Sequence, residues 1–176
     1  MEAITGILLV GGASRRFGSP KALATFRGEM LGERAWRLLG ETCEARIAAG
    51  KADDGLPLPF PLLDDGSAVR APIAGLVAGL RAAETDVCIA LPVDTPLMTA
   101  AAVRELAAAC LDAAVPPSGP LPGAYRRSVL PVLERRLDAG ELELRTALEE
   151  LETATVDLDP RLLANVNTAV ELERLT

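Results

Sequence analysis

Ile7-Leu8-Leu9-Val10-Gly11-Gly12-Ala13-Ser14-Arg15-Arg16-Phe17-Gly18-Ser19-Pro20-Lys21 is the stretch from which the rest of this chain can be read. An apolar run breaks into glycines, and three cations follow within seven residues of a protein whose net charge is −7. Such a run reads as a strand, and in parallel α/β sheets ligands bind beyond the carboxyl ends of strands. Gly11 and Gly12 let backbone N–H groups approach an anion without a Cβ in the way, while Arg15, Arg16 and Lys21 supply charge. The loop is neither of the two best-known phosphate cradles: Gly18 is followed by Ser-Pro-Lys rather than Lys-Ser/Thr, and G-x-G-x-x-G is absent. Taken alone, the alternative is a glycine turn with solvated arginines, and the anion cradle is the favoured reading.

Outward from that loop, apolar runs alternate with helix-period stretches, the pattern of an α/β fold with a mainly parallel sheet wrapped by helices. Strands are expected over residues 5–10, 45–49, 62–63, 87–93, 113–115, 121–125 and 153–157. Helices are expected over residues 31–41, from Pro72 with Ile73, Leu76, Val77 and Leu80 on one face, over 100–111, 128–139 and 144–151, and after Asn167. The run from Val87 to Val93 fits a central strand covered on both faces. At 176 residues and 49% hydrophobic, with no repeat and no linker, residues 1–176 are expected to form a single domain.

Composition removes several function classes. The acidic balance and 3% aromatic content argue against a nucleic-acid or anionic-membrane surface. No apolar run approaches a membrane span and the N-terminus lacks a basic start, so a cytoplasmic location is expected. Cys43, Cys88 and Cys110 are too far apart for a metal knuckle and read as buried structural thiols. The chain has no histidine, which excludes a Ser-His-Asp triad and leaves carboxylates, cations, backbone donors and a hard metal ion.

Three further groups carry candidate chemistry. Asp94 ends a buried strand in Pro92-Val93-Asp94-Thr95-Pro96 and suits Mg²⁺, which takes one or two carboxylates and completes its shell with phosphate oxygens and water; an Asx turn before Pro96 is the alternative. Asp64 or Asp65 follows a short strand and could accept hydrogen bonds from a sugar or base, or form a solvated turn. In Asn165-Val166-Asn167-Thr168, a helix cap accounts for one asparagine, with Asn167 or Thr168 as the cap, and Asn165 is left as a polar contact. Lys21 and Lys51 are the only lysines, so Lys21 marks a place where a compact charge suits better than a guanidinium fork.

Together these segments resemble the molybdenum cofactor guanylyltransferase family, among nucleotidyltransferases built on a glycosyltransferase-A-like, three-layer Rossmann sheet. The family pattern L-A-G-G-x-S-x-R-M-G-x-x-K is similar to residues 9–21, G-P-L-A-G to residues 71–75, P-C-D-x-P to residues 92–96, and N-x-N-T-P-E-E-L to residues 165–172. The departures are Val10 for alanine, Phe17 for methionine and Ala71 for glycine, and the stretch between residues 113 and 125 is short and lacks the histidine-proline often found there.

The resemblance implies transfer of GMP from GTP to molybdopterin or the molybdenum cofactor, with Mg²⁺ as the metal and room for cofactor-delivery proteins as partners. It implies that Leu9, Val10 and Gly11 contact the nucleotide, with Gly12 and Ser14 continuing the loop. Arg15, Arg16 and Lys21 would hold phosphates, Asp94 would bind Mg²⁺, Asp65 or Asp64 would contact the nucleotide, and Asn165 and Asn167 would line the molybdopterin side. A cytidylyl- or sugar-phosphate nucleotidyltransferase on the same sheet is the alternative, as is a nucleotide-binding relative without turnover. Gly11-Gly12 favours guanine, since the cytidine-using relatives typically carry Ala-Gly at that pair.

Overall fold

Strand β1 (Ile4–Val10) is buried at every position, as a near-continuous apolar run at the centre of a parallel sheet must be. The computed structural model describes residues 2–11 and 18–175. The chain continues through a hairpin of β2 (Thr25–Phe26) and β3 (Glu29–Met30), then α1 (Leu31–Thr42), β4 (Ala45–Gly50), β5 (Leu63–Asp64), α2 (Pro72–Ala82) and β6 (Val87–Pro92). It is completed by α3 (Ala100–Ala109), β7 (Ala113–Val115), β8 (Gly123–Arg126), α4 (Leu130–Asp138), α5 (Leu144–Ala147), β9 (Thr153–Thr155) and α6 (Ala169–Leu175).

Seven strands form one sheet in the order β5-β4-β1-β6-β8-β7-β9. The first four are parallel, and β7 and β9 are parallel to each other. Only β8 is reversed, antiparallel to both neighbours. The connection from β7 to β8 is a short turn, and a parallel return needs a crossover of a dozen residues or so.

Side-chain alternation along the strands makes two cores. Leu8, Val10, Ile89 and Leu91 face one side with Leu39 of α1 and Val103 and Leu106 of α3. Ile7, Leu9, Cys88 and Ala90 face the other with Ile73, Leu76 and Leu80 of α2 and Leu133 of α4. A sheet apolar on both faces must be covered on both, which gives three layers. A third, small cluster of Phe26, Leu31, Val166 and Leu172 fastens the hairpin to the C-terminal segment.

Helix α2 packs on β1 at Gly79 with no room for a side chain: a Cβ there would lie 2.5 Å from Ile7 Cγ2. Pro72 occupies the first turn of α2, where its missing N–H costs nothing. No helix among the described residues is long and apolar enough to cross a membrane.

Several boundaries differ from the sequence reading. The hairpin β2–β3 was not expected; its strands are two residues each, and Arg27 and Gly28 at φ 50° and 79° supply the left-handed turn that such a hairpin needs. The expected helix over 128–139 begins as a 3-10 turn, Arg127–Val129, before α4. The one over 144–151 breaks after α5 into a 3-10 turn, Leu148–Glu150. Cys88 and Cys110 are buried as free thiols, and Cys43 is half-buried.

Candidate active site

Register brings the distant motifs to one edge. Val10 pairs with Gly50 and Leu9 with Pro92, while Gly50 pairs with Asp64, so the carboxyl ends of β1, β4, β5 and β6 finish side by side. Gly50 is needed for this closeness, since a Cβ there would collide with the Val10 carbonyl oxygen at 2.0 Å. Over these ends opens a cavity of about 400 Å³, within the range that holds a nucleotide-sized ligand. Its walls include Leu9 and Val10 of β1 with Gly11 just after it, Lys51 just after β4, Asp65 just after β5, and Asp94 and Asn165.

Lys21 ties three motifs together. Its Nζ lies 3.5 Å from Asp94 Oδ2 and donates to Asn167 Oδ1 at 3.3 Å. The Val166 N–H donates to the Asp94 carbonyl at 2.9 Å, locking the asparagine segment to the end of β6. Thr168 Oγ1 accepts from the Glu171 N–H at 3.1 Å, as a helix cap, and Glu171 Oε2 accepts from the Asn167 N–H at 2.6 Å, so the cap leaves the Asn167 side chain to accept from Lys21. Burial pushes the Asp94 carboxyl above the ordinary carboxylate value, and the positive charge of Lys21 partly offsets this.

The two adjacent aspartates part company. Asp64 accepts from the Ala52 and Gly66 N–H groups at 2.9 and 3.0 Å in an exposed turn. Asp65 turns inward to the cavity wall, where Lys51 Nζ donates to its Oδ1 at 2.7 Å. Asn165 lines the same cavity, whereas Asn167 reaches Lys21. Gly12, Ser14, Arg15 and Arg16 lie outside the described residues.

Sequence reasoning missed part of the wall. Lys51, Arg70, Ser118, Leu121 and Leu163 all face the cavity. The turn that carries Ser118 is held by Arg145, whose guanidinium donates to the Ser118 carbonyl at 3.0 Å, and by Tyr125 Oη donating to the Pro120 carbonyl at 2.6 Å. Arg70 is gripped by Asp54 through both carboxylate oxygens, at 2.6 and 3.1 Å. The signal available in the sequence was the position of Lys51 directly after a strand; the others depend on loop paths that periodicity does not report.

The donors at Asp94 suit a hard divalent cation shared with a ligand. No cluster of three acidic, cysteine or histidine ligands occurs among the described residues. One carboxylate, followed in the chain by Thr95, whose buried hydroxyl has no hydrogen-bond partner among the described residues, is the sparse oxygen set that Mg²⁺ accepts when phosphates complete its shell.

Residues 6–155 match the family described as the MobA-like NTP transferase domain. The chain belongs to the MobA-like NTP transferases. Among other members, a molybdenum cofactor guanylyltransferase of Desulfosudis oleivorans is 30% identical, over 99% of this chain and 95% of its own. A probable molybdenum cofactor guanylyltransferase of Chloroflexus aggregans is 33% identical, over 97% and 92%. The fold is similar to the crystal structure of molybdopterin-guanine dinucleotide biosynthesis protein A from Archaeoglobus fulgidus, with a TM-score of 0.81, 22% identity and coverage of 97% and 95%. The mostly parallel sheet expected from the sequence is therefore the nucleotidyltransferase sheet of this family.

Proposed function

We propose that this MobA-like NTP transferase moves GMP from GTP to the terminal phosphate of molybdopterin, or of its molybdenum-bearing form, and releases pyrophosphate. The observation that carries the reading is the junction at Lys21, where a cation from the glycine-loop motif, the half-buried Asp94 carboxylate and the asparagine motif meet, with Asp94 itself on the wall of a nucleotide-sized cavity. The names of the relatives over nearly the whole chain point the same way.

In this reading an oxygen of the acceptor phosphate attacks the α-phosphorus of GTP. The bond from that phosphorus to the bridging oxygen breaks, and the electron pair leaves with pyrophosphate. A phosphate monoester has a second pKa of about 6 and is largely dianionic near neutrality, so a chain without histidine needs no general base. The obstacle is repulsion between two polyanions. Lys21, with Arg15 and Arg16, neutralises it and holds the phosphates in line. Asp94 would hold Mg²⁺, which supplies charge neutralisation and orientation of phosphate oxygens when bound.

Leu9, Val10 and Gly11 flank the nucleotide, with Gly12 and Ser14 continuing the loop. Asp65, rather than Asp64, contacts it from the second wall. Asn165 serves the acceptor side, and Asn167 positions Lys21. The proposed compartment is the cytoplasm, and cofactor-delivery proteins are the proposed macromolecular partners.

Thermal melting with GTP, CTP, ATP and UTP, each with Mg²⁺, tests the nucleotide. A ligand at about 100 times its Kd stabilises by about 2.7 kcal/mol, so GTP should raise the melting temperature by several degrees and CTP by much less. Stabilisation by CTP and not by GTP would overturn the guanylyl reading in favour of a cytidylyltransferase.

A further inference from the structure

Lys51 is the second of the two lysines in the chain, and the reaction as described does not use it. It follows β4 directly, with a side chain 12% exposed, and its partner Asp65 is 5% exposed. Nζ donates to Asp65 Oδ1 at 2.7 Å and also to the Ser67 carbonyl. The same Oδ1 accepts the Ser67 N–H at 2.9 Å. Oδ1 is therefore doubly engaged, while Oδ2 takes no hydrogen bond from the described residues.

An ion pair this deep contributes little net stability, because desolvating two charges offsets most of their attraction. On a cavity wall it has a different effect. A carboxylate gripped at one oxygen cannot rotate away, so the other oxygen becomes a fixed acceptor. Among the four common nucleobases, guanine alone offers two adjacent donors, N1–H and the 2-amino group, to such an acceptor. A site built to hydrogen-bond a substrate N–H rejects an analogue lacking it, because its own buried group is left unpaired.

Resting on the guanylyl reading above, we propose that Lys51 is a positioning residue for base selection: by engaging Oδ1 of Asp65 it aims Oδ2 at the N1–H and 2-amino group of guanine. Discrimination is then a property of the Lys51–Asp65 pair and not of Asp65 alone.

The test is calorimetric titration of the full chain with Mg²⁺-GTP and with Mg²⁺-ITP, whose base lacks the 2-amino group, so no acceptor or turnover is needed. The wild type should bind GTP about tenfold more tightly than ITP, the factor that about 1.4 kcal/mol produces. Lys51→Met should weaken both nucleotides, since ITP keeps N1–H, but GTP by the larger factor, so that the GTP-to-ITP ratio falls severalfold toward one. Lys51→Arg restores a cation and should keep the preference. Circular dichroism melting checks each fold; should the Met variant not fold, Lys51→Ala, which also removes the donor, gives the same reading. An unchanged GTP-to-ITP ratio in a folded Met or Ala variant, or equal loss in the Arg variant, overturns the inference while the guanylyl reading stands. A wild type with no preference for GTP over CTP overturns both.

Discussion

Asp94 holds opposing demands in one carboxylate. It must be ionised to hold a cation, yet burial pushes its pKa above the ordinary value, with Lys21 pulling part of the way back. A folded-state pKa raised above the unfolded one contributes stability at low pH that is lost as pH rises through the raised value, so at neutral pH the ionised Asp94 costs the ligand-free fold free energy. Asp94→Asn should therefore melt about 2–4 °C above the wild type at pH 8 without ligand, the shift that about 1 kcal/mol gives a chain of this size. The gap should narrow as pH falls through the raised pKa, and pyrophosphate release should be abolished. Differential scanning calorimetry across pH, with a pyrophosphate assay, checks both; a variant that melts lower at pH 8 and still turns over removes Asp94 from this role. Asp94 was legible in the sequence because it ends an apolar run. The Lys51–Asp65 pair was not, because it depends on β4 and β5 lying in one register, which no local pattern specifies.

At the scale of elements, the floor of the cavity depends on how closely α2 lies on β1. Gly75 lines the cavity, and a Cβ there would meet Leu9 Cδ2 at 3.0 Å; one turn later Gly79 fits over Ile7. Gly79→Ala should lower stability by about 1–3 kcal/mol, since overpacking outweighs the helix propensity gained. Because Gly79 is not part of the cavity wall, GTP affinity of the folded variant should be unchanged. Urea denaturation and nucleotide titration separate the two effects; a variant at least as stable as the wild type would show that the helix can lift off at no cost. The long elements were readable because β1 and β6 are continuous apolar runs and α2 begins at a proline with apolar residues on one face. The hairpin β2–β3 was missed because two-residue strands have no period, and the direction of β8 because composition is blind to it.

Over the whole molecule, four motifs spread from Leu9 to Leu172 converge because parallel strands end on one edge and the C-terminal segment returns there, with Val166 bonded to the Asp94 carbonyl. The far side of the cavity, with Ser118, Leu121 and Leu163, was the least legible part, since it is assembled from turns whose paths are set by contacts such as Arg145 to Ser118. The most direct measurement is incubation of the protein and Mg²⁺ with GTP labelled at the α-phosphate, and separately with similarly labelled CTP, in the presence of molybdopterin. Label should pass from GTP to the molybdopterin product with one pyrophosphate released per transfer, and CTP should give little. Equal or preferential transfer from CTP, or tight GTP binding with no transfer, would contradict the account.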